Sequence, residues 1–202
     1  MSECMTSPDK SNGYEQIAAR YIAGRGTDPD ETGAVEVAEW GRTLPSGATV
    51  LDLACGTGVP ISLALMNCGL NVYGVDASPS MVAAFRERFP GVPVQCSAVE
   101  ESDFFGKKFD GVVAWGLMFL LEPETQYRLI AKVGAHLVSG GKFVFTAPWQ
   151  TCMWKDLMTQ RISISLGQEA YIDAIENAGM RVVGHNTDGG QNYYYLCEKD
   201  RG

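Results

Sequence analysis

Two acidic residues and a pair of glycines stand where a chain could grip a small ligand that carries hydroxyl groups. Asp52 lies inside the apolar run Val50-Leu51-Asp52-Leu53-Ala54, which leads directly into Cys55-Gly56-Thr57-Gly58. A buried strand that runs into a glycine turn ahead of a helix puts its carboxyl end at a ligand crevice. Glycines in that turn let the main chain approach a ligand with no Cβ in the way. Asp76 ends the next apolar run, Val72-Tyr73-Gly74-Val75-Asp76, where such folds present an acid to the two hydroxyls of a ribose. Asp76 could instead cap the following helix, but Ser78 and Pro79 supply the cap and first-turn residues, which leaves its carboxylate for a ligand. The third glycine of a dinucleotide fingerprint is missing, with Ile61 in its place. That counts against close pyrophosphate packing, hence against NAD and an NAD-linked oxidoreductase. A cofactor without phosphate fits better.

Holding these residues takes a parallel sheet. Apolar runs at 49–54, 71–75, 92–96, 109–115 and 142–147 read as strands, and the segments 60–68, 79–89 and 122–138 between them read as helices. Continuous apolar runs indicate strands covered on both faces, and strands separated by helices imply right-handed crossovers. The tail differs: a helix at 166–178 and a strand at 180–185 are followed by the turn Asp188-Gly189-Gly190 and a strand at 193–197. A turn that short implies an antiparallel pair. The expected fold is α/β, Rossmann-like and doubly wound, mostly parallel, with a C-terminal antiparallel strand pair.

Residues 1–11 read as a flexible polar tail and 12–202 as a single domain, with cap helices over 12–44. Tyr14, Ile17, Ala18 and Tyr21 recur there at helical spacing. Residues 148–165, with Trp149, Met153 and Trp154, read as an irregular insertion able to cap a pocket. Tyr193 and Tyr195 should face one side of the last strand and Tyr194 the other. His136, late in a long helix, reads as structural.

With 24 acidic against 16 basic residues the net charge is −8. Nucleic-acid binders need clustered Lys and Arg to displace counterions, and no basic stripe appears. Six cysteines are scattered without a C-x-x-C pair, which points to reduced, structural thiols in the cytoplasm rather than to a metal site. No stretch approaches the roughly 20 apolar residues of a membrane span, and the N-terminus lacks the apolar core of a signal peptide.

Asp52, Gly56, Gly58 and Asp76 together resemble the first two motifs of the class I S-adenosylmethionine-dependent methyltransferases. The resemblance runs from Tyr14 to the final strand pair, which makes this family's sheet seven-stranded. It implies S-adenosylmethionine as cofactor, S-adenosylhomocysteine as product, and methyl transfer to a small-molecule acceptor. By resemblance Asp52 orients the methionine end, the Gly56 to Gly58 backbone passes beside it, Asp76 holds the ribose, and Ala77 and Met81 flank the adenine. The acid that usually follows the third strand is replaced by Ala98, which leaves Val99 and Glu100 to recognise the base. Glu100 could equally be a solvated helix-start acid. Trp115, at the end of the fourth strand, could shield the sulfonium through its π face. Trp115 and Phe119 could equally be core. Tyr14 and Tyr21 resemble an aromatic helix folded over the cofactor, with Arg25 in reach of its carboxylate, although a packing helix explains them as well. Phe119, Trp149, Trp154 and Tyr194, with Trp115, are the acceptor-pocket candidates. No catalytic base stands out, so a non-catalytic S-adenosylmethionine-binding regulator remains an alternative, as a monomer or a homodimer.

Overall fold

The computed structural model describes residues 9–24 and 33–202. Seven strands form one sheet in the order β3-β2-β1-β4-β5-β9-β8. They are β1 (Thr49–Leu53), β2 (Asn71–Asp76), β3 (Val94–Cys96), β4 (Phe109–Ala114), β5 (Leu137–Thr146), β8 (Met180–Thr187) and β9 (Tyr193–Lys199). Strands β1 to β5 pair in parallel, and β9 runs antiparallel to both β5 and β8. The chain winds outward from β1 through β2 to β3, then returns to place β4 on the other side of β1. This reversal opens a crevice at the carboxyl ends of β1 and β4.

The helices form where the sequence supplies their ends. Helix α4 (Pro79–Arg88) begins with Ser78 Oγ accepting the Met81 N–H at 3.2 Å and has Pro79 in its first turn. Helix α5 (Pro123–His136) turns Leu129, Ile130 and Val133 to the sheet. Helices α1 (Tyr14–Gly24), α2 (Ala34–Gly41), α3 (Ile61–Asn67) and α6 (Gln168–Asn177) complete the set.

Two apolar layers flank the sheet. Phe104, Phe143, Phe145, Tyr171 and Tyr195 belong to one, where Tyr195 stacks on Phe145 with ring centroids 4.7 Å apart. Val37, Trp40, Val50, Leu65 and Tyr194 belong to the other, so alternation along β9 does separate Tyr194 from Tyr195. His136 rests on Phe104, and its Nδ1 lies 2.9 Å from the Lys132 carbonyl oxygen.

The region 148–165 is not irregular. It contains an antiparallel hairpin of β6 (Cys152–Lys155) and β7 (Ile162–Ser165), a separate two-stranded sheet. The alternation in Ile162-Ser163-Ile164-Ser165 is inverted: Ser163 and Ser165 are buried, whereas Ile162 is 49% exposed. Serines facing inward conceal a strand from a reading based on apolar faces. The third strand is also shorter than expected, and β5 begins at Leu137, ahead of the Gly140-Gly141 pair.

Buried Gln126 ties the hairpin to the body. Its amide donates to the Leu121 and Ile164 carbonyls at 2.9 Å each, and its oxygen accepts from the Tyr171 hydroxyl at 2.6 Å. Residues 9–11, at the end of the segment read as a tail, hold contacts of their own. Asp9 pairs with Arg161 at 2.8 Å and Lys10 with Glu100 at 3.0 Å. Replacing Gln126 by Met leaves buried polar groups without partners and should lower stability by about 2–4 kcal/mol in chemical denaturation. It should also speed proteolytic cleavage between 156 and 160.

Candidate functional site

A cavity of about 300 Å³ lies at the carboxyl ends of β1, β2 and β4, where the strand order reverses. The turn after β1 forms its floor. Ala54 and Gly56 line it with left-handed backbone, φ 58° and 54°. A Cβ at Gly56 would meet no atom within 4 Å, so the absent side chain leaves room on the cavity side. Gly58 answers a different constraint and does not line the cavity. Its φ is 81°, and a Cβ there would fall 2.5 Å from the Phe89 ring and 2.8 Å from Phe85. The second glycine thus serves close packing of the turn against α4.

Asp76 lines the cavity and is 9% exposed. It is not wholly free, as the capping by Ser78 suggested. One oxygen accepts the Gly56 N–H and the other the Ser78 N–H, each at 2.8 Å. Lone pairs remain on both oxygens for a ligand. Burial pushes the Asp76 carboxyl up, its two backbone bonds oppose this, and the charge of Glu15 adds to it. Glu15 of α1 accepts the Ser80 N–H at 3.1 Å and the Ser78 hydroxyl, which anchors the N-terminal helix beside Asp76.

Asp52 does not line the cavity. It is 1% exposed and accepts the Ser62 hydroxyl at 2.5 Å, which joins β1 to α3 beneath the turn. Burial pushes its carboxyl up to about 7, opposed by the Ser62 bond and reinforced by the charge of Asp76. Cys55 lines the cavity, but burial and then the neighbouring Asp52 and Asp76 raise its thiol well above the usual range. It is no thiolate nucleophile.

The structure brings together Tyr14, Tyr21, Ala77, Met81, Val99, Glu100, Trp115 and Phe119 around the same cavity. The rings of Tyr14 and Tyr21 meet edge to face at 5.6 Å. Trp154 and Tyr194 stand behind the wall, against Phe119 and Trp115 at 5.3 and 5.4 Å. Trp149 is 53% exposed and lies outside the cavity. Arg25 falls outside the described residues.

Other lining residues carry no signal in the sequence because they come from separated segments: Lys10, Ser11 and Asn12 before α1, Thr146 at the end of β5, Asp156 in the hairpin turn, and Asn192. Asp188 accepts both the Asn192 N–H at 2.7 Å and its side-chain amide at 2.9 Å. The Asn192 main-chain carbonyl accepts the Asp188 N–H at 3.0 Å, which leaves the side-chain oxygen as its acceptor without a partner among the described residues. Lys10, the one lysine on the wall among the described residues, is engaged by Glu100 at 3.0 Å and Glu101 at 3.6 Å. Among the described residues no group of three His, Cys, Asp or Glu could hold a metal ion, and no helix is long and apolar enough to cross a membrane.

The state of Asp52 has a consequence for stability. A carboxyl titrating near 7 when folded and near 3.9 when unfolded binds more protons in the folded state, so stability falls as pH rises between those values. Asp52→Asn retains an acceptor for Ser62 without the charge. Denaturation curves should show the variant gaining on the natural protein from pH 4 to 7, by on the order of 2–4 kcal/mol, with a constant difference above pH 7.5 or so.

Residues 50–141 match the family described as a methyltransferase domain. The chain is 29% identical over 147 residues to dTDP-4-amino-2,3,4,6-tetradeoxy-D-glucose N,N-dimethyltransferase of Saccharopolyspora spinosa, an alignment covering 71% of this chain and 55% of that one. The chain thus spans little more than half the length of that curated relative. Among solved structures, it is similar to Burkholderia thailandensis 1,6-didemethyltoxoflavin-N1-methyltransferase, described with bound 1,6-didemethyltoxoflavin and S-adenosylhomocysteine. The TM-score is 0.74 at 19% identity, covering 100% of this chain and 94% of that one. The [4+2]-cyclase SpnF shares the fold too, with TM-score 0.70 at 15% identity over 96% and 97% of the two chains. The matched segment makes the central part of the chain similar to a methyltransferase domain, and the whole chain shares the fold of the solved structures named above.

Proposed function

We infer that the protein is an S-adenosylmethionine-dependent methyltransferase of small molecules, with residues 12–44 capping a single domain. The observation that carries this reading is Asp76, a carboxylate fixed by two backbone bonds at the mouth of β2 with lone pairs left over the cavity. That arrangement suits a ribose diol. The lining also suits a cofactor without phosphate: among the described residues its one lysine is already paired with glutamates. Ala77 and Met81 flank the adenine, and Val99 and Glu100 meet its edge. The Gly56 backbone passes beside the methionine end, with Tyr14 and Tyr21 closing over it. Trp115 offers its π face to the sulfonium. Arg25 keeps its assignment to the cofactor carboxylate. Asp52 supports the cofactor through the turn it holds rather than by contact.

When bound, the cofactor supplies an activated methyl group for in-line displacement from sulfur. The protein's share is alignment and exclusion of water. Phe119 and Trp115 give the acceptor an apolar wall, and Asn192 and Asp156 give it hydrogen-bond acceptors. No paired nucleophile and base is assigned, so the rate depends on placing an acceptor atom that is already nucleophilic. Two of the proteins named above are named as methyltransferases of a dTDP-amino sugar and of 1,6-didemethyltoxoflavin, which supports a small acceptor over a macromolecule. The net charge of −8 supports the absence of a nucleic-acid partner. We place the protein in the cytoplasm as a monomer or homodimer.

Calorimetric titration should show binding of S-adenosylmethionine and S-adenosylhomocysteine and none of NAD; binding of NAD alone would point to a dehydrogenase. Methyl transfer to a panel of small amines and hydroxylated compounds then separates an enzyme from a non-catalytic binder. Asp76→Asn loses the charge-assisted ribose contact and sets an amide donor against one of the two backbone N–H groups, so it should weaken S-adenosylhomocysteine binding by roughly tenfold or more and lower stability by about 1–3 kcal/mol.

A further inference from the structure

Lys132, on α5, lies outside the cavity, yet its ammonium gathers three main-chain carbonyls of the segment that follows β3. Its Nζ donates to the Val99 oxygen at 2.9 Å, the Glu100 oxygen at 3.3 Å and the Ser102 oxygen. The same nitrogen sits 4.2 Å from the centroid of the Phe104 ring. A lysine ammonium has three donors and no acceptor, so these contacts use its full hydrogen-bonding capacity on one short loop.

The loop needs such a restraint. Phe104 and Phe105 are consecutive non-glycine residues in left-handed conformation, φ 50° and 57°. Residues held there cost of order 1 kcal/mol each and persist only where surroundings impose them. Ser102 Oγ, which donates to the Gln95 side chain, accepts the Phe104 N–H at 3.0 Å, and Asp103 accepts the Phe105 N–H at 3.0 Å. These bonds fix the far end of the loop. The near end, Val99-Glu100, lines the cavity, and its two amides make no hydrogen bond among the described residues. A trans peptide is planar, so holding the Val99 carbonyl toward Lys132 turns the Glu100 N–H the opposite way.

We propose that Lys132 is a positioning residue for base recognition, clamping the Val99, Glu100 and Ser102 carbonyls so that the main-chain amide of Glu100, beside that of Val99, presents a fixed donor edge to the adenine ring. This rests on the adenosyl reading of the cavity. A donor edge accepts adenine, whose N1 is an acceptor, and rejects hypoxanthine, whose N1 carries a hydrogen. Lys132 therefore controls discrimination as well as affinity.

The test is calorimetry of S-adenosylhomocysteine and its inosine counterpart against the natural protein, Lys132→Met and Lys132→Arg. The natural protein should prefer the adenosine ligand by at least about tenfold. In folded Lys132→Met the adenosine ligand should bind roughly tenfold more weakly and the preference should shrink toward unity, with Lys132→Arg restoring much of both. If Lys132→Met melts too early to measure, Lys132→Leu, which likewise lacks donors, is titrated at reduced temperature. A folded Met or Leu variant with undiminished preference overturns the proposal and leaves the adenosyl reading standing. Failure of the natural protein to bind S-adenosylhomocysteine overturns both.

Discussion

The bond from the Gly56 amide to Asp76 is the contact on which the site depends. It joins the turn after β1 to the end of β2 at the point where two neighbouring parallel strands lead their chains to different helices. The sheet's own ladder ends one residue earlier, with the Cys55 N–H on the Val75 carbonyl at 3.2 Å, and does not reach across the two turns. One carboxylate does so, and its second oxygen sets the start of α4 through the Ser78 amide. Asp76 is therefore part of the floor before any ligand arrives, and its direction is fixed by backbone rather than by rotamer preference. Pre-organisation of this kind means that a ligand need not order the carboxylate on binding.

Around that floor the enclosure is built from distant pieces. Glu15 fastens α1 to the first turn of α4, Arg161 reaches from the hairpin turn to Asp9, and Gln126 holds the hairpin strand to α5 and α6. The contacts differ in strength. Gln126 is buried and hydrogen-bonded on both sides, whereas the Asp9 and Lys10 pairs are partly exposed and belong to the class of surface ion pairs worth at most about 1 kcal/mol each.

The sheet, its parallel β1 to β5 and its antiparallel end were legible because buried strands announce themselves as apolar runs and their helices carry caps such as Ser78-Pro79. The motif turn was legible for a related reason: glycine, aspartate and strand end must coincide there. The division of labour within it was not. Gly56 and Gly58 look alike in sequence, but only the neighbourhood of Phe85 and Phe89 shows that Gly58 answers to packing. Asp52 and Asp76 are both acids at strand ends, but one sits beneath the turn and the other at the cavity. The hairpin was missed because its inward residues are serines, and Asn192 and Asp156 because only tertiary structure brings their loops to the wall. Aromatic content alone misplaced Trp149, which the fold leaves facing solvent.

The floor of the cavity is encoded almost entirely between residues 50 and 100, by turns locked to one another through main-chain bonds. The walls facing the β5 side come from the segment before α1, the hairpin turn and the β8–β9 connection. Among the described residues these pieces share no hydrogen bond with Asp76 or Gly56, and they reach one another and the floor side through the exposed pairs Asp9–Arg161 and Lys10–Glu100. On the methyltransferase reading proposed above, such an arrangement lets substitutions or length changes in surface segments alter the acceptor while the cofactor half stays constant. The selective constraint along the chain should accordingly be uneven, tight through the first three strands and relaxed in the loops that only the acceptor would touch.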